Sequence, residues 1–272
     1  MYKSYKKTVR LWSSSSRTFP PKNYLLKTLM KSKHPDKLIG KILAPAIGLW
    51  LRSQLDSVED LHISVSGGNR QILGGSIPQV SLAAHRAVYR GLHLSQLQVA
   101  GHNIAINLPQ VLKGQPLRLL ETVTVVGEAL LNQADLQASL SSSLLEGAIA
   151  EHLLGPIVAG QSETLQPQML QKTLRDCHIV WREATLQQGQ IAIEGIVTKL
   201  AQTPKPIRLQ AQLERVGYNL LRLYEVRLDA STIIPSLFLE ELKIDLGSDV
   251  VIKGLDILPG QLCVRGEIAV MP

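Results

Sequence analysis

The chain has 272 residues, of which 45% are hydrophobic, 19% charged and only 4% aromatic. That composition excludes wholesale disorder and supplies a large, mainly aliphatic core. The net charge of +7 points to anionic partners, either nucleic acid or anionic lipid.

The charge is unevenly placed. Met1 to Pro35 holds no Asp or Glu, while Lys3, Lys6, Lys7, Arg10, Arg17, Lys22, Lys27, Lys31 and Lys33 all fall there. Residues 1–34 therefore read as a mobile basic tail, broken by Phe19-Pro20-Pro21. Its aromatics, among them Trp12 and Tyr24, suit a membrane interface and a nucleic acid equally. The tail has no continuous apolar core of a secretory signal; being Ser-rich and acid-free, it also fits an organelle transit peptide. The expected setting is cytoplasmic, peripheral to an inner or thylakoid-type membrane. Residues 35–272 read as one α+β domain.

After Pro35-Asp36, the residues Ile39, Ile42, Leu43, Ala46, Ile47 and Trp50 follow helical spacing. Pro45 predicts a kink, or a second helix starting there. Lys37, Lys41 and Arg52 mark the polar side. The apolar stretch Ile42 to Leu51 is far shorter than the ~20 residues a spanning helix needs. A core-packing helix with solvated lysines is the common meaning of such a pattern, and a membrane-facing helix the functional one.

Strand alternation follows: Leu61, Ile63, Val65, then Val80, Leu82, Ala84, then Ile104 and Ile106, then Val123 and Val125. Gly67-Gly68-Asn69 and Gly74-Gly75-Ser76 read as turns leading into strands. Leu92 and Leu94 differ in parity from Leu97 and Val99, as Leu221 and Leu223 do from Val226 and Leu228; each switch predicts a bulge. Between them lies a helical pair. Asn132 or Asp135 caps the first helix, Ser143 and Glu146 form a capping box for the second, and Gly155-Pro156 ends it. Residues 157–168 read as loop. Strands return near 177–183, 190–198 and 207–213, and the chain closes with a meander at 238–246, 250–258 and 261–270. The predicted fold is α+β: a strongly curved antiparallel sheet wrapped around helices, leaving an apolar groove.

No catalytic constellation emerges. There is no HExxH, Walker A, GxSxG, GxGxxG or CxxC motif. Cys177 and Cys263 read as structural thiols. His85, His93 and His102 fall on consecutive strands, but alternation does not give them one face. No metal, cofactor or catalytic residue is assigned, and the chain reads as a non-enzyme. Helix-turn-helix, zinc-finger and RNP patterns are also missing, so nucleic acid is not the expected partner of the body.

Three stretches carry a family likeness. They are Asp60 to Asn103, with Val65-Ser66-Gly67-Gly68-Asn69-Arg70-Gln71-Ile72-Leu73, Ile77-Pro78 and Tyr89-Arg90-Gly91; Gly127-Glu128-Ala129-Leu130-Leu131-Asn132-Gln133-Ala134-Asp135-Leu136; and Asp245-Leu246-Gly247-Ser248 to Pro259-Gly260-Gln261-Leu262. Together they resemble the LmeA-like phospholipid-binding family, catalogued as a domain of unknown function in actinobacteria and photosynthetic bacteria. The resemblance implies a tubular lipid-binding fold of the BPI-like type, phospholipid as partner, and a role in membrane maintenance. Lys31, Lys33, Lys37, Lys41 and Trp50 are the expected headgroup-facing or membrane-facing residues. The alternatives are a scaffold protein with a packed curved sheet, and nucleic-acid binding through the tail. Open sheet edges also allow an edge-to-edge homodimer.

Overall fold

Period-two alternation governs the chain from Ser57 onward, and that period builds sheet. The computed structural model describes residues 38–111, 113, 115, 117–160, 173, 176–199, 202–230 and 233–272. Among these residues the strands are β1 (Ser57–Ser66), β2 (Ser76–Tyr89), β3 (Leu92–Ala105), β4 (Val123–Asn132), β5 (Cys177–Gln187), β6 (Gln190–Lys199), β7 (Lys205–Arg215), β8 (Leu220–Ala230), β9 (Ile234–Asp245), β10 (Val250–Leu258) and β11 (Gln261–Val270). They pair antiparallel into a six-stranded sheet, ordered β1-β2-β3-β4-β11-β10, and a five-stranded sheet, ordered β5-β6-β7-β8-β9. The helices are α1 (Leu38–Gln54), α2 (Asn69–Leu73), α3 (Leu108–Val111), α4 (Gln133–Ser139), α5 (Ser143–Ile149) and α6 (Gly155–Ala159).

The protein is thus mostly β, and the single curved sheet expected from the sequence is corrected to two sheets. The cause is the chain's route. The helical stretch from Gln133 to Ala159 separates β4 from β5, and the last hairpin returns to pair β11 with β4. The sheets meet where the β10–β11 turn abuts β5 and the β5–β6 turn. There Gly260 N donates to Leu186 O (3.0 Å) and Gly189 N to Ile257 O (3.1 Å).

Two cores result. In the larger, Leu136, Leu140, Ile149, Leu154, Ile157 and Val158 of the helical stretch cover the five-stranded sheet, meeting Trp181, Leu186, Val197, Leu209, Val226, Leu228 and Leu237. In the smaller, Leu43 and Ile47 of α1 pack with Ile72, Ile77, Ile104, Ile106 and Val123 at one end of the six-stranded sheet.

Several local expectations change. Helix α1 runs through Pro45 as one helix; Pro45 is exposed, so water can serve the backbone acceptor it leaves. Gly67-Gly68 leads into the short helix α2 and not into a strand. The cap of α5 is Ser142, whose Oγ accepts from Leu145 N at 3.2 Å, one residue before the expected Ser143. Gly155-Pro156 does not end the helical stretch. A π-helical turn at Ala150–Leu154 precedes Pro156 and carries the helix on to Ala159. A wide turn of this kind absorbs the clash and missing N–H of proline.

The switch in β8 is a bulge as expected. Glu225 has φ +51°, and pairing with β7 slips between Gln210 and Gln212. The switch in β3 brings no register slip: pairing with β2 keeps one register from Leu92 to Ala105, with Ser95 and Arg86 left unpaired at the switch and Arg86 at φ +47°. Further slips occur between Trp181 and Glu183 in β5 and between Ile252 and Gly254 in β10.

Candidate functional site

Directly paired residues in a sheet point to the same face. Following the register across all six strands gives three complete rows: Val65, Val80, Gly101, Val125, Ile268 and Val250; then Ile63, Leu82, Val99, Gly127, Gly266 and Ile252; then Leu61, Ala84, Leu97, Ala129, Val264 and Leu255. Every residue in them is apolar. The rows on the other face include His62, Gln98, Glu128 and Arg265, or Asp60, His85, Gln96 and Asp256. One face of the six-stranded sheet is therefore apolar from edge to edge, across about 24 Å at about 4.8 Å per strand step.

This face is only partly covered. Ile63, Val65, Val80 and Val125 pack against the smaller core. At the other end, Ile257 and Leu262 belong to the larger one. Between them Leu82, Leu97, Val99, Val264 and Leu255 are half-buried and join neither core. They line an apolar trough between α1 on one side and the helices over the five-stranded sheet on the other. Small residues form its centre. A Cβ at Gly127 would lie 2.5 Å from Val99 Cγ1 and 2.7 Å from Gln98 O, so the close approach there requires glycine.

The trough ends under α1 at edge strand β1. A cleft of about 590 Å³ lies there, lined by Ala44, Pro45, Gly48, Leu49, Arg52 and Leu61 to Ile63. Leu61 and Ile63 are also the first members of two of the rows. The cleft is open to solvent and not enclosed. Arg52 is the cation on its wall, and no carboxylate among the described residues pairs with it. Leu49 (73% exposed) and Trp50 (45% exposed) stand on the outer side of α1. A second cleft, about 420 Å³, opens where the sheets meet, among Glu214, Arg215, Lys253 and Asp256. Lys253 pairs with Glu267 and Asp256 with Arg265, so this cleft suits water better than an acyl chain.

A polar lock holds α4 against β3. Ser95 Oγ donates to Asp135 Oδ2 and accepts from Asn132 Nδ2 at 2.7 Å. Asn132 N donates to Asp135 Oδ2 at 3.0 Å, and His93 N donates to Ser139 Oγ at 2.8 Å. The serines and the carboxylate serve one another, an arrangement that positions a helix. Cys263 lies on the polar face, its Sγ 3.4 Å from Glu128 Oε1; burial, and then the Glu128 charge, push its thiol up to about 12. Burial also raises the Cys177 thiol. Neither is an activated nucleophile.

The histidines are spread along the β2–β3 pair. His85 faces Gln96, His93 faces Val88, and His102 faces Gln79. Among the described residues no three His, Cys, Asp or Glu side chains are grouped as for a metal.

Of the expected headgroup residues, Lys31, Lys33 and Lys37 lie outside the described residues, and Lys41 is on α1. Trp50 is exposed two residues from Arg52. The alternation of Leu82, Leu97 and Val99 is plain in the sequence, but their alignment with Val264 and Leu255 is a product of long-range pairing. Among the described residues, no helix is long and apolar enough to cross a membrane.

No match is found among the curated proteins or among the solved structures. A family model does match, over residues 35–267, nearly the whole of the chain that carries the two sheets. The chain therefore belongs to the LmeA-like phospholipid-binding family.

Proposed function

We propose that the protein binds a phospholipid with an acyl chain laid along the apolar trough and its phosphate facing Arg52 at the cleft between α1 and β1. The observation that carries this reading is the three unbroken apolar rows, in which Leu82, Leu97, Val99, Val264 and Leu255 stay half-buried between two well-formed cores while Ala84 and Ile252 are buried. Leaving such a surface in water costs about 25 cal/mol per Å2, a cost an acyl chain would remove. The binding is non-catalytic and the protein peripheral to a membrane. The lysines Lys31, Lys33, Lys37 and Lys41, with Trp50, precede or flank this cleft in sequence and complete the proposed headgroup-facing set.

The test is mass spectrometry of the organic extract of natively purified protein, beside the variants Leu82→Gln and Val99→Gln. A stoichiometric phospholipid in the wild type, lost in both folded variants, is the expected result. An extract empty of lipid, together with no uptake of a fluorescent phospholipid, would sink the reading. Lipid retained by both variants would move the site elsewhere.

A further inference from the structure

The end of the six-stranded sheet beyond its smaller core has an unusual outer surface. The α2–β2 connection, the loop before β4 and the end of β11 all meet there. Ile106 N donates to Gly75 O (2.8 Å) and Leu120 N to Ala105 O (2.9 Å). Val270 pairs with Val123. Five of the twelve large hydrophobic residues exposed among the described residues lie on the elements that meet here: Leu73 (53%), Leu120 (58%), Ile268 (53%), Val270 (39%) and Met271 (64%). Ile268 also belongs to the apolar row nearest this end.

The same end carries exposed cations. Arg70 sits on α2, and Lys113 and Arg118 in the loop before β4; none makes an ion pair among the described residues. The acids here include Glu121, beside Leu120, and on the β10 side Asp249, whose carbonyl accepts from Ala269 N, and Asp245, whose carboxylate accepts from Gly247 N. The α2 side is therefore net basic. Isolated exposed apolar residues need no explanation, but exposed aliphatic residues on adjoining segments, with unpaired cations on the same segments, suit an interaction surface. Aliphatic tips with flanking Arg and Lys match a bilayer interface, where apolar side chains enter the acyl boundary and cations meet phosphate.

We propose that this end of the sheet docks on an anionic bilayer, Leu73 and Leu120 entering it and Arg70, Lys113 and Arg118 meeting its headgroups. The proposal rests on the lipid-binding reading and adds a surface by which the protein meets its membrane. It differs from docking through the N-terminal segment or α1, which use other residues.

The experiment uses the full chain with Cys177 and Cys263 replaced by serine. An environment-sensitive dye is placed at Leu120→Cys or, as control, at the exposed Thr185→Cys on β5. Vesicles are phosphatidylcholine alone, or equal parts phosphatidylcholine and phosphatidylglycerol. The expected result is a blue shift and quenching by lipid-borne quencher at position 120, with anionic vesicles, and neither at position 185. Arg70→Gln, Lys113→Gln and Arg118→Gln should each weaken partitioning about fivefold at low salt, and together roughly a hundredfold. No shift at position 120 overturns the proposal, whether or not the vesicles are bound; bound vesicles would then assign docking to another surface. The organic extract separates the two readings. Dye insertion with an empty extract leaves the docking surface standing and removes the trough, and a filled extract without insertion does the reverse.

Discussion

The two sheets read alike along each strand and differ in what covers them. In the five-stranded sheet the inward residues Leu186, Val197, Ile207, Val226, Leu228 and Leu237 are at most 2% exposed, sealed by α4 to α6. In the six-stranded sheet the inward rows are as apolar, yet Leu82, Leu97, Val99, Val264 and Leu255 stay half-buried. Both outer faces are polar, with ion pairs such as Arg208–Glu194 on one and Lys253–Glu267 on the other. Alternation therefore fixes which face is apolar, while the helices decide how completely that face is covered.

Substitution separates the two faces most sharply. Leu228→Ala empties a fully buried position in the five-stranded sheet and should cost about 3 kcal/mol, measured as a fall in denaturant midpoint with unchanged slope. Leu97→Ala removes a half-exposed side chain and should cost about 1 kcal/mol or less, while lowering lipid occupancy. Equal destabilisation by the two would show that the six-stranded face is as tightly packed as the other, and would break the comparison.

Much of this was legible in the sequence. The strands, the bulge in β8, the helical interruption after β4 and the family likeness all follow from local patterns or motif stretches. What was not legible depends on pairing between distant strands. Gly127 and Gly266 face each other across β4 and β11 although 139 positions separate them in the chain; no local period reports that. The same is true of the division into two sheets, since only the return of β11 to β4 reveals it. The switch between Leu94 and Leu97 looked like a bulge, yet β2 pairs in one register on both sides of it, with Ser95 and Arg86 (φ +47°) unpaired between. Ser95, lying between those leucines, turns to Asp135, so the local pattern reports a change of neighbours.

The thiol of Cys263 probes the polar face of the same sheet. Its folded value is about 12 against an ordinary 9.0, so at pH 8 it should react with thiol reagents far more slowly than in urea. The unfolded thiol ionises as pH passes about 9 and the folded one does not until about 12, so stability falls as pH rises through that window. Cys263→Ser should flatten this alkaline decline. An unchanged decline would assign it to other groups.

The smallest effect belongs to the exposed charges on the outer face of the five-stranded sheet. Glu241 Oε1 lies 2.8 Å from Lys243 Nζ, and Oε2 lies 3.6 Å from Arg222 Nη1. The hydrogen bond from Lys243 is the main cause that holds its carboxyl below the ordinary range, with the charges of Lys243 and Arg222 adding to it. A carboxylate depressed on folding stabilises the protein above its unfolded pKa, and that contribution disappears as pH falls through the folded value. Glu241→Gln should therefore lower stability slightly at pH 7 and not at all at strongly acidic pH. Because the pair is open to solvent, the difference at pH 7 should shrink further in high salt. A deficit that persisted in high salt would mean that Glu241 supports packing of the sheet, and the contrast between a solvated outer face and a sealed inner one would need redrawing.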